Sequence, residues 1–144
     1  MQRLQSLLAS AWVGLLVTVG AVAAPSLFAV LDRVLAGMVA GRLFMVEAYI
    51  SVVVAMVMFL LERHRLRNQA PTFGDSVMST ELLLVMGALF TTVLGHFALR
   101  PMLEAAKAGQ GAWSFGALHA TSSSLFLLKG LLVLALAWRL TGRR

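Results

Sequence analysis

The residues able to do chemistry are few, and they stand inside or at the edges of long apolar runs: Glu47, His96, Arg100, His119, Ser122 and Lys129. Thr92, His96 and Arg100 recur at four-residue spacing, which puts all three on one face of a helix. His119, Ser122, Ser123 and Phe126 share a face of the last apolar run, and Lys129 continues that stripe. A charged group placed in hydrocarbon costs about 2.5–3.5 kcal/mol even on the lenient insertion scale, so it turns toward a partner or a wet cavity. Glu47, His96, Arg100 and His119 are therefore expected to face one another across a helical bundle. Asp32, Arg33, Arg42, Glu104 and Lys107 lie near the same level of the chain.

Each of these residues admits a structural and a functional role. Glu47 can lock helices by pairing with Arg42 or Arg100, or it can handle a ligand or a proton. His96 and His119 can be hydrogen-bonded structural side chains, a pair of metal or haem ligands, or a proton relay. Two histidines without a His-x-x-x-His spacing are too few to specify a metal, so the metal stays unknown. The eight methionines form no tight repeat and read as core filling; copper and haem b are the low-ranking cofactor alternatives, and no cofactor is expected. Lys129 either reaches along its stem to the interface or is a buried charge with a function. With no cysteine, thiolate metal sites, disulfides and Cys nucleophiles are excluded. No phosphate-binding Gly-rich loop or Ser nucleophile elbow is present, and no catalytic residue is expected.

The elements that must position these groups follow from composition. Of the 144 residues, 60% are hydrophobic and 12% charged, with a mean hydropathy of +0.88. Soluble domains are about 45–50% apolar and about 25% charged. The chain reads as all-α, a single four-helix membrane domain over 1–144 with spans at 7–31, 43–61, 82–99 and 117–138. Residues 34–42 form a mildly apolar connection, 62–80 a polar linker with Arg63, Arg65, Arg67, Gln69, Pro71, Gly74 and Asp75, and 102–115 an outer loop. Pro25 is expected to kink the first span, and Arg100-Pro101 to end the third. The apolar N-terminal run resembles a secretory signal, but Pro25 follows Ala24 and the run continues to Leu31, so it is read as an uncleaved span. Small residues make one face of span one (Ala11, Gly14, Thr18, Ala21, Pro25) and one of span three (Gly87, Thr91, Gly95), on which another helix can pack closely. Trp12, Trp113 and Trp138 are candidate interfacial anchors.

The net charge of +6 argues for orientation in a lipid bilayer and against nucleic acid, because the basic residues sit between apolar blocks. Arg3, Arg63, Arg65, Arg67, Arg139, Arg143 and Arg144 fall on one side, and Arg33, Arg42, Arg100 and Lys107 on the other. That asymmetry predicts both termini and the 62–80 linker in the cytoplasm. Four spans make a thin bundle, which would suit a homo-oligomer.

Three segments carry a family resemblance: Pro25-Ser26-Leu27-Phe28, the run Ala36-Gly37-Met38-Val39-Ala40-Gly41-Arg42-Leu43-Phe44, and Phe115-Gly116-Ala117-Leu118-His119-Ala120-Thr121-Ser122. With them the chain resembles the bacterial domain of unknown function 4149, related to the eukaryotic transmembrane protein 205. The resemblance implies a four-span protein without established enzymatic activity, whose eukaryotic relatives are linked to platinum-drug resistance. Its matching positions here are Pro25, Phe28, Ala36, Gly37, Gly41, Phe44, His119 and Ser122. Three functions then compete: transport or tolerance toward a cation or small polar solute, a haem- or copper-binding redox protein, and a non-catalytic assembly subunit.

Overall fold

Apolar runs of this length bury their backbone polar groups only by closing every hydrogen bond within the segment, and helices do so. The computed structural model describes residues 2–68 and 78–142, which form helices throughout, apart from short connections. Four of them are long and apolar enough to cross a membrane: α1 (Gln2–Val30), α2 (Arg33–Asn68), α3 (Thr80–Lys107) and α4 (Phe115–Thr141). Gln69, Pro71, Gly74, Asp75, Arg143 and Arg144 lie outside the described residues.

The helices outrun the expected spans at most ends. Residues 34–42, expected as a connection, are the first turns of α2, and Arg100-Pro101 does not end α3, which continues to Lys107. The physical reason lies in the caps and in two widened turns. Asp32 Oδ1 accepts from Val34 N and Leu35 N at 3.1 and 3.0 Å, Ser79 Oγ from Leu82 N at 3.1 Å, and Ser114 Oγ from Ala117 N at 3.2 Å. Each satisfies orphan amides at a helix start, worth about 1 kcal/mol. Past Lys107, Gln110 N bonds Ala105 O at 2.9 Å and Gly109 N bonds Ala106 O at 3.1 Å, with Gly109 at φ +71°. This paired closure needs a left-handed residue, which glycine supplies.

Two of the three prolines, Pro25 and Pro101, are absorbed by π-helical turns, Thr18–Ala23 before Pro25 and Val93–Ala98 before Pro101. Proline has no N–H for the carbonyl four residues back and its ring crowds that carbonyl; a wider turn relieves both without breaking the helix. The expected disturbance at Pro25 thus takes the form of a widened turn.

Each helix packs on two neighbours, α1 on α2 and α4, and α3 on α2 and α4, while the diagonal pairs make no backbone contact among the described residues. The core is a single inward stripe that includes Ala9, Trp12, Leu16, Ala55, Met58, Val85, Ala88, Val133 and Leu136. It is concentrated in the half of the bundle that carries Gln2 and Thr141. In the opposite half, the 24–30 turns of α1 and the 93–98 turn of α3 hold no buried residue, nor does α4 between Leu118 and Lys129. Outward-facing Leu7, Val30, Val53, Phe90 and Leu127 are exposed, as they must be if lipid is the solvent.

Two expected faces resolve differently. Gly87 and Gly95 do turn to α4: a Cβ on Gly87 would lie 3.1 Å from Leu132 Cδ1, and one on Gly95 3.4 Å from Leu125 Cβ. Ala11, Gly14, Thr18, Ala21 and Pro25 instead point out of the bundle, because the larger stripe Gln5, Ala9, Trp12, Leu16 and Val19 takes the inner face of α1. Trp12 is correspondingly no surface anchor; it is 2% exposed, whereas Trp113 and Trp138 are 63% and 79% exposed.

Candidate functional site

One fully buried polar group inside the bundle is built from three helices. Glu47 and Ser51 occupy successive turns of the inner face of α2, Trp12 faces them from α1, and Lys129 reaches in from α4. Lys129 Nζ lies 2.8 Å from Glu47 Oε1 and 2.9 Å from Oε2. The Ser51 hydroxyl donates to Glu47 Oε1, and Trp12 Nε1–H donates to Ser51 Oγ at 2.8 Å. Every hydrogen in this chain is aimed toward the carboxylate, which therefore sits as the terminal acceptor of a one-way donor relay. Glu47 is 2% and Lys129 3% exposed. The pair spans the diagonal between α2 and α4, whose backbones do not meet.

An aromatic roof covers the ammonium. The Phe126 ring centroid is 4.9 Å from Lys129 Nζ, within the range of a cation–π contact. Phe44 meets Phe126 edge-on at 5.2 Å, and Gly20 leaves room for that ring, since a Cβ there would lie 2.5 Å from Phe126 Cε1.

Between α2 and α3 lies an open cleft of about 390 Å³, lined by Met45, Tyr49, His96, Phe97, Arg100, Pro101 and Glu104. Arg100 Nη1 lies 3.4 Å from His96 Nε2, and Tyr49 packs edge-on to Phe97 at 5.5 Å. Tyr49, two residues from both Glu47 and Ser51, points to the outer side of the same stretch of α2. Fifteen residues separate Glu47 from Glu62, so the pair is about 22 Å from the terminal end of the bundle at ~1.5 Å rise per residue, within a hydrocarbon core of ~30 Å.

The structure brings together part of the expected cluster. His96 and Arg100 are adjacent, and Glu47 lies inside the bundle, paired with Lys129 where Arg42 or Arg100 was expected. Lys129 turns inward and does not extend to the interface. His119 is exposed and stacks on Phe115 at 5.7 Å; no hydrogen bond or ring contact joins it to His96, Arg100 or Glu47 among the described residues. Ser122 Oγ donates to Gly95 O at 3.3 Å, tying α4 to the widened turn of α3. Among the resemblance positions, Ala36 is buried and Phe44 belongs to the roof, while Pro25 and Phe28 face outward and Gly37 and Gly41 meet no side chain. No group of three or more His, Asp or Glu able to hold a metal occurs among the described residues.

A second polar cluster, at the terminal end, escaped the sequence reading. Glu62, on α2, accepts from Gln5 Nε2 at 3.1 Å, Arg65 Nε at 3.0 Å and Ser79 Oγ at 2.6 Å. Glu81, on α3, accepts from Arg139 Nε at 2.8 Å and lies 4.0 Å from Arg65 Nη2. All four helices are thereby tied at one level. The signal was present in acids that stand at the two edges of the polar linker, one turn from Arg65 and two residues after Ser79.

A family model described as Domain of unknown function (DUF4149) matches residues 7–112. That stretch contains Trp12, Glu47, Ser51, His96 and Arg100 and stops short of α4, and so of His119, Ser122 and Lys129. No curated protein matches the chain, and no solved structure matches it.

Proposed function

Because the chain belongs to the DUF4149 family, whose function is unknown, we propose its role from the site itself: a multi-pass membrane protein that admits a cation or small polar solute through the cleft to Glu47. The observation that carries this reading is the Glu47–Lys129 pair, held within a chain whose helices are otherwise sheathed in apolar side chains. Four helices can be locked together without burying charge, and ionisable groups at this depth mark solute and proton pathways. Lys129 supplies the positive charge that neutralises the empty site. A cation arriving at Glu47 would compete with that ammonium for the two carboxylate oxygens, with Ser51 as an additional oxygen ligand and His96 at the cleft wall. A kinship with the eukaryotic transmembrane protein 205, and a bacterial inner-membrane location with cytoplasmic termini, belong to the same proposal.

The test separates a solute site from a structural lock. The purified chain is reconstituted in liposomes, and uptake of monovalent and divalent cations is followed with internal dyes. The paired variant Glu47→Leu with Lys129→Met keeps the fold, because a buried ion pair can be exchanged for apolar groups at little cost. Wild-type flux above that of empty liposomes, lost at least tenfold in the paired variant and reduced in His96→Ala, supports the reading. Equal flux in wild type, paired variant and empty liposomes removes it.

A further inference from the structure

The basic run at the end of α2 divides by direction. Arg65 turns into the bundle, bonded to Glu62 and near Glu81. Arg63 and Arg67 have no carboxylate within ion-pairing distance among the described residues, and with His64 they line an open cleft of about 520 Å³ whose remaining walls are Phe59 and Leu60. The Asn68 side-chain amide lies 3.0 Å from His64 Nε2, an arrangement that leaves the Nδ1–H of the ring to donate elsewhere.

The position of this cleft along the helix fixes its surroundings. The stretch between Arg42 and Arg63 measures about 30 Å at ~1.5 Å per residue, the thickness of the hydrocarbon core. Arg63 therefore stands where acyl chains give way to headgroups. Val53, Met56 and Leu60 lie on the same face of α2 below it and are exposed. Charge changes from none to strongly positive over a single turn of that face, with an aromatic wall at the boundary.

We propose that this cleft is a binding site for an anionic phospholipid. Arg63 and Arg67 hold the headgroup phosphate, His64 donates to it, and an acyl chain lies along Leu60, Met56 and Val53. Two guanidinium forks match phosphate oxygens, and the apolar row below them has no use for a free phosphate ion. The site shares no residue with the Glu47 cleft and stands or falls separately from it.

The test uses the full chain in a non-ionic detergent, titrated with phosphatidylglycerol, with phosphatidylcholine of the same acyl chains, and with inorganic phosphate. Bound lipid is counted by native mass spectrometry. Phosphatidylglycerol is expected to bind in preference to phosphatidylcholine, with affinity falling about fivefold in Arg63→Gln or Arg67→Gln and about thirtyfold in both together. Arg3→Gln, on the same side of the membrane but outside the cleft, is expected to leave the affinity within twofold. Equal binding of the two lipids, an unchanged affinity in the double variant, or an equal loss in Arg3→Gln would each overturn the site. Displacement of phosphatidylglycerol by an equimolar amount of inorganic phosphate would overturn the assignment to lipid.

Discussion

Glu47 and Lys129 each satisfy the other, and no second ion pair reaches either of them among the described residues. Removing one strands a buried charge, which costs about 3–5 kcal/mol, whereas exchanging both for apolar groups is often neutral or stabilising. Glu47→Gln and Lys129→Met are therefore expected to lose about 3–5 kcal/mol each in detergent unfolding, and the paired apolar variant to come within about 1 kcal/mol of wild type. Additive losses would mean the two side chains are not coupled. Glu62→Gln should be milder, about 1–3 kcal/mol, because Arg65 keeps some access to water and Ser79 can still bond the amide. These residues also mark the limit of what the sequence discloses. That Glu47 must face inward follows from the cost of its charge alone. Its partner does not, since a lysine ten residues from Arg139 can equally be drawn to the interface, and only the diagonal placement of α2 and α4 puts Nζ against the carboxylate. His119 shows the converse: its spacing matched a polar stripe, but it stands in the first turns of α4, where no neighbouring helix closes over it.

Helix by helix, close approach is a matter of which face wins the interior. On α1, Gln5, Ala9, Trp12, Leu16 and Val19 win it, so the two glycines of that helix differ sharply. Gly14 meets nothing, and Gly14→Ala is expected to be neutral or to add up to about 1 kcal/mol of stability through helix propensity. Gly20→Ala would drive its Cβ into Phe126, a ring already held by Phe44 and Lys129, and should cost about 1–3 kcal/mol. Adding Phe126→Leu should recover most of that loss in the same unfolding measurement; no recovery would show that the ring is not the obstacle. The existence of the four helices was legible because each carries an apolar run of bilayer length. Their ends were not, because hydropathy registers hydrocarbon thickness, whereas a helix continues through the headgroup region until a cap such as Asp32, Ser79 or Ser114 delimits it. Proline misled in the same way at Pro101: read alone it ends a helix, but a π-turn before it lets the backbone continue.

For the molecule as a whole, the polar side chains are arranged asymmetrically between the two faces. At the terminal end the Glu62 and Glu81 clusters bind four helices together above a tight core, while toward the other end α2 and α3 part into the cleft lined by Tyr49, His96 and Arg100. On the proposed function a solute enters from the side of this cleft, and its direction depends on which compartment that side faces. The arginine asymmetry predicts that the cleft faces away from the cytoplasm. The absence of cysteine makes the prediction directly measurable, because a single introduced thiol is the only labelled position. Gln110→Cys, in the connection between α3 and α4, should react in intact cells with a membrane-impermeant maleimide. Asn68→Cys, at the terminal end of α2, should react only after the cells are permeabilised. The reverse pattern would turn the cleft toward the cytoplasm, and with it the direction in which Glu47 is loaded: a protein open to the outside is set to admit or sense an external solute, whereas one open to the cytoplasm is set to remove an internal one.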